Sequence, residues 1–366
     1  MELSNREWKE FAIPYIFNDI QRGKRFKKSD HVPGSVPYVS STANNNGVDA
    51  YIEPSDGVRI FEDCISIANS GSVGSAFYEP FKFVASDHVT SLKRENTDQY
   101  IYLFLTAVLE QQKTNFNFNR EINDLRIKKM KVMLPVDDNG EPDYQFMKNY
   151  MKELVEIKRK QYREHIEQCL AELGINVKCI KTKEYSLDLQ SRKWMPVSIT
   201  PLFDSFIFGK ISNASLCDRT SGAGVEYIGA TNKNNGCLYF VNKDGVKNKI
   251  QQGNCIGFIK DGDGSAGYAI YKKEYFVSTV NVIYGYASWV NEYTGLFFVS
   301  AQDLIKNKYN HGYKRNQQHL RSDRIMLPVN DNNEPDYQFM EECGRKMMAK
   351  KYLQYLEFLN TIEEKP

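Results

Sequence analysis

Covalent or metal chemistry in this chain would fall to five histidines, seven cysteines and a scatter of carboxylates, and their spacing argues against it. His31, His88, His165, His311 and His319 are dispersed, none with a partner carboxylate at a metal-ligand spacing, so hydrogen-bonded or surface histidines are expected. Cys64, Cys169, Cys179, Cys217, Cys237, Cys255 and Cys343 are odd in number without a C-x-x-C pair, which reads as reduced structural thiols. Gly262–Gly267 fits G-x-G-x-x-G, but the "YAIYKKEYFV" that follows has a strand pattern, where a pyrophosphate site needs a helix N-terminus. A β-turn is the better reading. Pro142-Asp143 and Glu156-Ile157-Lys158 fit a PD-x-ExK nuclease pattern, yet all lie on one predicted helix and cannot converge on a metal. The loop that grips a flipped base for methyl transfer, Asn/Asp-Pro-Pro-Tyr/Phe, is missing, as are GxxxxGK[ST] and HExxH. No metal, no cofactor and no catalytic residue is expected.

Binding chemistry remains. Lys24, Arg25, Lys27 and Lys28 in "GKRFKK", and Arg126, Lys128 and Lys129 in "LRIKKMK" with Arg120 just before it, concentrate positive charge in a chain of net charge +2. Further along, Lys210 follows Gly209, and "YKRNQQHLRSDR" supplies Lys314, Arg315, Gln317, Gln318 and Arg321. Lys and Arg neutralise phosphates, while Arg to guanine and Asn or Gln to adenine give bidentate base contacts. Two polar turns add short hydrogen-bonding side chains: Ser41, Thr42, Asn44, Asn45 and Asn46 in "SSTANNNG", and Thr231, Asn232, Lys233 and Asn234 in "ATNKNNG". Asn-Gly tips also make good turns without touching anything. Lys128 and Lys129 are expected to hold phosphates whatever the sequence, Arg315 and Gln317 to read bases.

These residues sit on a duplicated frame. At 366 residues, 41% hydrophobic and 26% charged, the chain suits two globular domains, and 23 Tyr and 21 Phe favour strand-rich ones. "WKEFAIPYIF" at Trp8 and "WMPVSITPLF" at Trp194 open the copies; Gly23-Lys24 and Gly209-Lys210, then "VPYVSSTANNNG" and "VEYIGATNKNNG", follow in order. A Gly-rich turn between strand-like runs comes next, and each copy closes on "LPV" and "EPDYQFM", at Glu141–Met147 and Glu334–Met340. This is a tandem duplication with diverged interiors and preserved seams. After Pro142, Asp143 is placed to cap a helix with apolar residues at steps of mostly three and four from Met147 to Leu173, and the second copy repeats it from Met340 to Ile362. A helix of about 30 residues spans roughly 45 Å. Two such stripes can pair as an antiparallel coiled coil and act as a spacer. No stretch of about 18 apolar residues exists and the N-terminus is polar, so neither a membrane span nor a signal peptide is expected, and the location is expected to be cytoplasmic.

The order Trp-x8-Phe, strand-rich domain, "LP", long helix, then the same again resembles the DNA-specificity subunits of type I restriction-modification systems and of BcgI-like type IIB enzymes, from Trp8 to Glu364. The resemblance implies two target-recognition domains in pseudo-two-fold arrangement, each reading half of a split site in double-stranded DNA. It further implies that the two helices hold the readers apart and dock adenine-methyltransferase subunits, which supply the catalysis. The seam helices open with EPDYQFM where many type I subunits have a "Q-x-x-I" run. The fold class is α+β. The expected layout is a first recognition domain at 1–136, its helix at 137–175, a linker at 176–193, a second recognition domain at 194–329 and its helix at 330–366.

Overall fold

The computed structural model describes residues 2–116, 120–175, 188–220, 222–262, 264–310 and 312–363. Most of the expected linker 176–193 lies outside them, as do Cys179, Asp263 and His311. The chain forms two compact units, Met1–Tyr162 and Arg163–Pro366.

In the first unit, β1 (Trp8–Ala12) gives way at Pro14 to a one-turn helix, α1 (Ile13–Ile16). Eight strands follow: β2 (Asp19–Arg22), β3 (Val32–Val39), β4 (Val48–Glu53), β5 (Ile60–Phe61), β6 (Cys64–Ala68), β7 (Ala76–Glu79), β8 (Phe83–Ala85) and β9 (Val89–Lys93). Then come α2 (Gln99–Gln111), α3 (Asp124–Lys129), β10 (Lys131–Pro135) and the long α4 (Tyr144–Glu172), whose last turns belong to the second unit. The strands form one sheet ordered β2-β9-β6-β7 and another ordered β4-β3-β8-β5, while β1 pairs with β10. β6 is buried along its whole length because both faces are covered. Ile65 and Ile67 point into a core with Tyr102, Leu105 and Leu109 of α2, whereas Cys64 packs with Val39, Phe61 and Phe83 of the other sheet. Alternate side chains thus bind helix to sheet and sheet to sheet.

The second unit repeats this chain order. β11 (Lys193–Ser198) leads to β12 (Ser205–Phe208), β13 (Arg219–Thr220), β14 (Val225–Ile228), β15 (Cys237–Val241), β16 (Cys255–Ile259), β17 (Ala269–Lys272), β18 (Phe276–Ser278) and β19 (Val282–Tyr286). α5 (Glu292–Gln302), α6 (Gln317–Ser322), β20 (Arg324–Val329) and α7 (Tyr337–Glu363) complete it. Sheets β12-β19-β16-β17 and β13-β15-β14-β18 match those of the first unit except at one strand. β5 adds to the β8 edge; among the described residues of the second copy that edge carries a single bridge, from Gln251 to Phe276, and β13 adds to the opposite edge. The expected pair of strand-rich units, each closed by a long helix, is what the chain folds into.

The duplicated EPDYQFM is a structural joint. Pro142 and Pro335 bridge back to Val136 and Val329, and Asp137 and Asn330 each accept two backbone N–H groups in the intervening turn. Asp143 and Asp336 then cap the helices, each accepting the N–H three residues on at 2.8 and 2.9 Å. The same carboxylates bind Arg6 and Arg192, whose guanidiniums lie over Phe146 and Phe339 at 4.4 and 4.9 Å. Met147 and Met340 are fully buried. The Pro, Asp, Phe and Met of the motif are therefore spent inside their own units. Asp143, occupied as a cap and by Arg6, is 13 residues from Glu156 on one helix, about 20 Å away, so the nuclease pattern does not assemble.

One core position holds a carboxyl group in one copy and an ammonium group in the other. Glu79 on β7 faces Cys64 in register and is fully buried; Ser66 Oγ donates to its Oε1 at 2.9 Å, and its Oε2 has no hydrogen-bond partner among the described residues. Its counterpart Lys272, opposite Cys255, pairs with Glu226, where the first copy has Pro37. Burial raises the Glu79 pKa from 4.5 to about 7, against the Ser66 hydrogen bond. Because the folded value is the higher one, this contribution to stability is complete below pH 4.5 and is lost as pH rises to about 7, by up to about 3 kcal/mol. Glu79→Gln is expected to flatten the pH dependence of urea unfolding over that window; an unchanged slope would show that Glu79 does not titrate there.

Candidate nucleic-acid interface

In the first unit two predicted segments meet. Gly23, at the end of β2, lies so close to Ala85 and Ser86 that a β-carbon would overlap the Ser86 carbonyl oxygen, and Gly209 is held the same way against Thr279. From there the loop carrying Arg25, Lys27 and Lys28 runs beside Ser41, and the two enclose an open cleft of about 480 Å³. Its wall is aromatic: His31 sits 4.8 Å from Phe26 and 4.4 Å from Tyr38. Lys24 and the three basic side chains of the cleft are exposed, which suits them to phosphate oxygens.

The Asn-Gly turns have a backbone reason for their composition. Asn45 and Asn46, and Asn234 and Asn235, have φ of 48–51°, and Gly47 and Gly236 follow at 79° and 80°. Few residues other than Asn and Gly hold a run in the left-handed region. Thr42 Oγ1 accepts the Asn44 N–H at 3.1 Å and Thr231 Oγ1 that of Lys233 at 3.2 Å, so both threonines shape their turns. Asn44, Asn45 and Asn46 remain exposed, as do Lys233 and Asn234; Asn232, also exposed, accepts a hydrogen bond from Ser265 at 2.9 Å.

The two short helices α3 and α6 match in register, capped by Asn123 and Asn316. α3 exposes Arg126, Lys128 and Lys129, with Lys128 lining a cleft of about 220 Å³ beside Arg22 and Arg59. α6 exposes Gln317, Gln318 and Arg321. Arg120 is exposed, its guanidinium 6.0 Å over Phe116, and Lys210 is exposed too. Lys314 is exposed and pairs with Asp261 at 2.6 Å.

Arg315 must be corrected: it is fully buried and presents nothing to a base. Its Nε and Nη2 lie 2.9 and 2.8 Å from Asp323 Oδ2, and Nη1 donates to Gln302 Oε1 at 2.9 Å and to the Gly267 carbonyl at 3.2 Å. The guanidinium also faces the rings of Phe258 and Tyr309, at 5.0 and 5.4 Å. Burial lowers its pKa, opposed chiefly by Asp323. Residues that the sequence reading passed over include Arg22, just before the first basic run, Arg59, outside any basic run, and Tyr313, which is 42% exposed and stacks on His319 at 4.3 Å. Ser265 and Ala266 N–H groups both return to the Gly262 carbonyl, and β17 follows, so the Gly-rich motif is a turn between strands. Among the described residues no three His, Cys, Asp or Glu side chains group to hold a metal, and no helix is long and apolar enough to cross a membrane.

The chain belongs to the family of type I restriction-modification DNA specificity domains, whose model matches it twice, over residues 5–168 and 191–356. The specificity subunit S.BcgI of a type II restriction enzyme, from Heyndrickxia coagulans, is 34% identical over 151 residues, 41% of this chain and 44% of that one. The match thus spans less than half the length of that relative. A type I restriction-modification S subunit from M. genitalium aligns in structure over 99% of this chain and 95% of its own, with TM-score 0.45 and 17% identity. The HsdS subunit of Thermoanaerobacter tengcongensis aligns over 98% and 92%, with TM-score 0.31 and 12% identity.

Proposed function

We propose that this chain is the DNA-reading, non-catalytic subunit of a restriction-modification complex, with one reader in each copy of the duplicated frame. The observation that carries the reading is the family match falling once on each copy. In each, exposed Lys, Arg, Asn and Gln side chains sit on a rigid strand-rich frame, a placement that suits phosphate and base contacts. The readers correspond to 1–136 and 194–329, their helices to 137–175 and 330–366, joined through 176–193. Adenine-methyltransferase subunits dock on the helices and perform the chemistry in the cytoplasm; the chain itself needs no cofactor. The helices pair as an antiparallel coiled coil and place the readers in pseudo-two-fold arrangement. Support for the pairing comes from the second unit, where Ile166 and Leu170 of α4 pack with Ala349, Leu353, Leu356 and Leu359 of α7, and Arg163 donates to Asn360 at 3.0 Å.

Changing Arg25, Lys27 and Lys28 together to Ala tests the first reader. In the assembled complex, affinity is expected to fall for every DNA sequence alike, and the slope of log K against log salt to become shallower by about 2.7. The preferred motif stays the same. Unchanged affinity and slope would remove this loop from the interface.

A further inference from the structure

The buried node around Arg315 has an apolar twin. Counting 193 residues back, Gln302, Tyr309, Arg315 and Asp323 correspond to Leu109, Phe116, Ile122 and Met130. Backbone hydrogen bonds fix the register. Ile122 and Arg315 N–H groups donate to the carbonyls of Asn69 and Lys260, while Met130 and Asp323 carbonyls accept from Ile13 and Ile199. Leu109, Ile122 and Met130 are buried in the first copy as Gln302, Arg315 and Asp323 are in the second. The same frame closes over hydrocarbon in one copy and over an ion pair in the other. A buried ion pair gains little over well-packed apolar residues, so fold stability does not account for the exchange.

Directional bonds to the surface are what the ionic version adds. Asp323 Oδ1 accepts from Tyr309 Oη at 2.7 Å and from Lys308 Nζ at 2.8 Å, in addition to the Arg315 contacts. Tyr309 stacks on Tyr313 at 5.7 Å, Tyr313 on His319 at 4.3 Å, and Lys308 and Lys314 flank the two tyrosines in sequence. From this we infer that Arg315 and Asp323 are positioning residues for DNA discrimination by the second unit: the ion pair orients an aromatic and lysine edge that the first copy lacks. The inference rests on the reading that residues 312–324 face DNA.

Its test uses the complex assembled with its methyltransferase subunits and a random duplex library, selected at two salt concentrations. Gln302→Leu, Tyr309→Phe, Arg315→Ile and Asp323→Met together install the first copy's quartet. The variant is expected to melt within about 4 °C of the parent, and to lose roughly ten-fold or more of its discrimination at positions in one half of the motif, the other half unchanged. Tyr309→Phe alone, which removes one tie to Asp323, should relax the same half less. Retention of both halves, equal loss in both, or failure of the quadruple variant to fold would each overturn the inference. Lys314→Ala with Arg321→Ala separates it from the reading beneath. If that pair leaves affinity and salt slope unchanged, the segment does not face DNA and both fall; if it weakens binding while the quadruple variant keeps both halves, only the inference falls.

Discussion

Asp323→Leu, made alone, is expected to destabilise the second unit by about 3–5 kcal/mol, the cost of leaving a buried guanidinium without its carboxylate. Arg315 is 0% exposed and Asp323 1%, so water cannot replace the lost partner. Lys308 and Tyr309 lose an acceptor at the same time. The matching change in the first copy, Met130→Leu, should cost less than about 1.5 kcal/mol, because Met130 packs in an apolar core. Urea unfolding of both variants makes the comparison. A loss for Asp323→Leu no larger than that for Met130→Leu would mean that the ion pair is not the buried unit described here.

Inserting four residues between Lys158 and Tyr162 is expected to lengthen the unspecified gap between the half-sites by about two base pairs and leave both half-sites unchanged. Four helical residues add about 6 Å along the axis and about 40° beyond one full turn, and duplex DNA rises about 3.4 Å per base pair. The insertion falls in α4 before Ile166 and Leu170, so the apolar cluster with α7 keeps its own spacing. Altered half-site bases with an unchanged gap would show that helix length is not the spacer.

Features written in local pattern were legible in the sequence. The duplication, the Asp143 cap and the start of each long helix follow from spacing and capping chemistry, and the structure has them. The Asn-Gly turns were visible as candidate contacts, but their left-handed backbone shows that part of their composition serves the turn. Arg315 was misread because a basic run looks alike on a surface and in a core. Its partners are eight residues ahead at Asp323 and thirteen behind at Gln302, and only tertiary folding brings them together. A signal was nonetheless present: in the 193-residue register Arg315 stands opposite Ile122, an apolar position. The Arg6 and Arg192 clamps were missed for the same reason, since each guanidinium crosses more than a hundred residues to reach its capping aspartate.

The central claim is that two diverged readers on one chain specify one split DNA site. Methylome sequencing of a host that expresses this chain with its methyltransferase subunits tests it most directly. The account predicts methylated adenines within a bipartite, asymmetric motif whose halves are separated by a fixed unspecified gap. A palindromic or continuous motif, or methylation at the same sites without this chain, would contradict it.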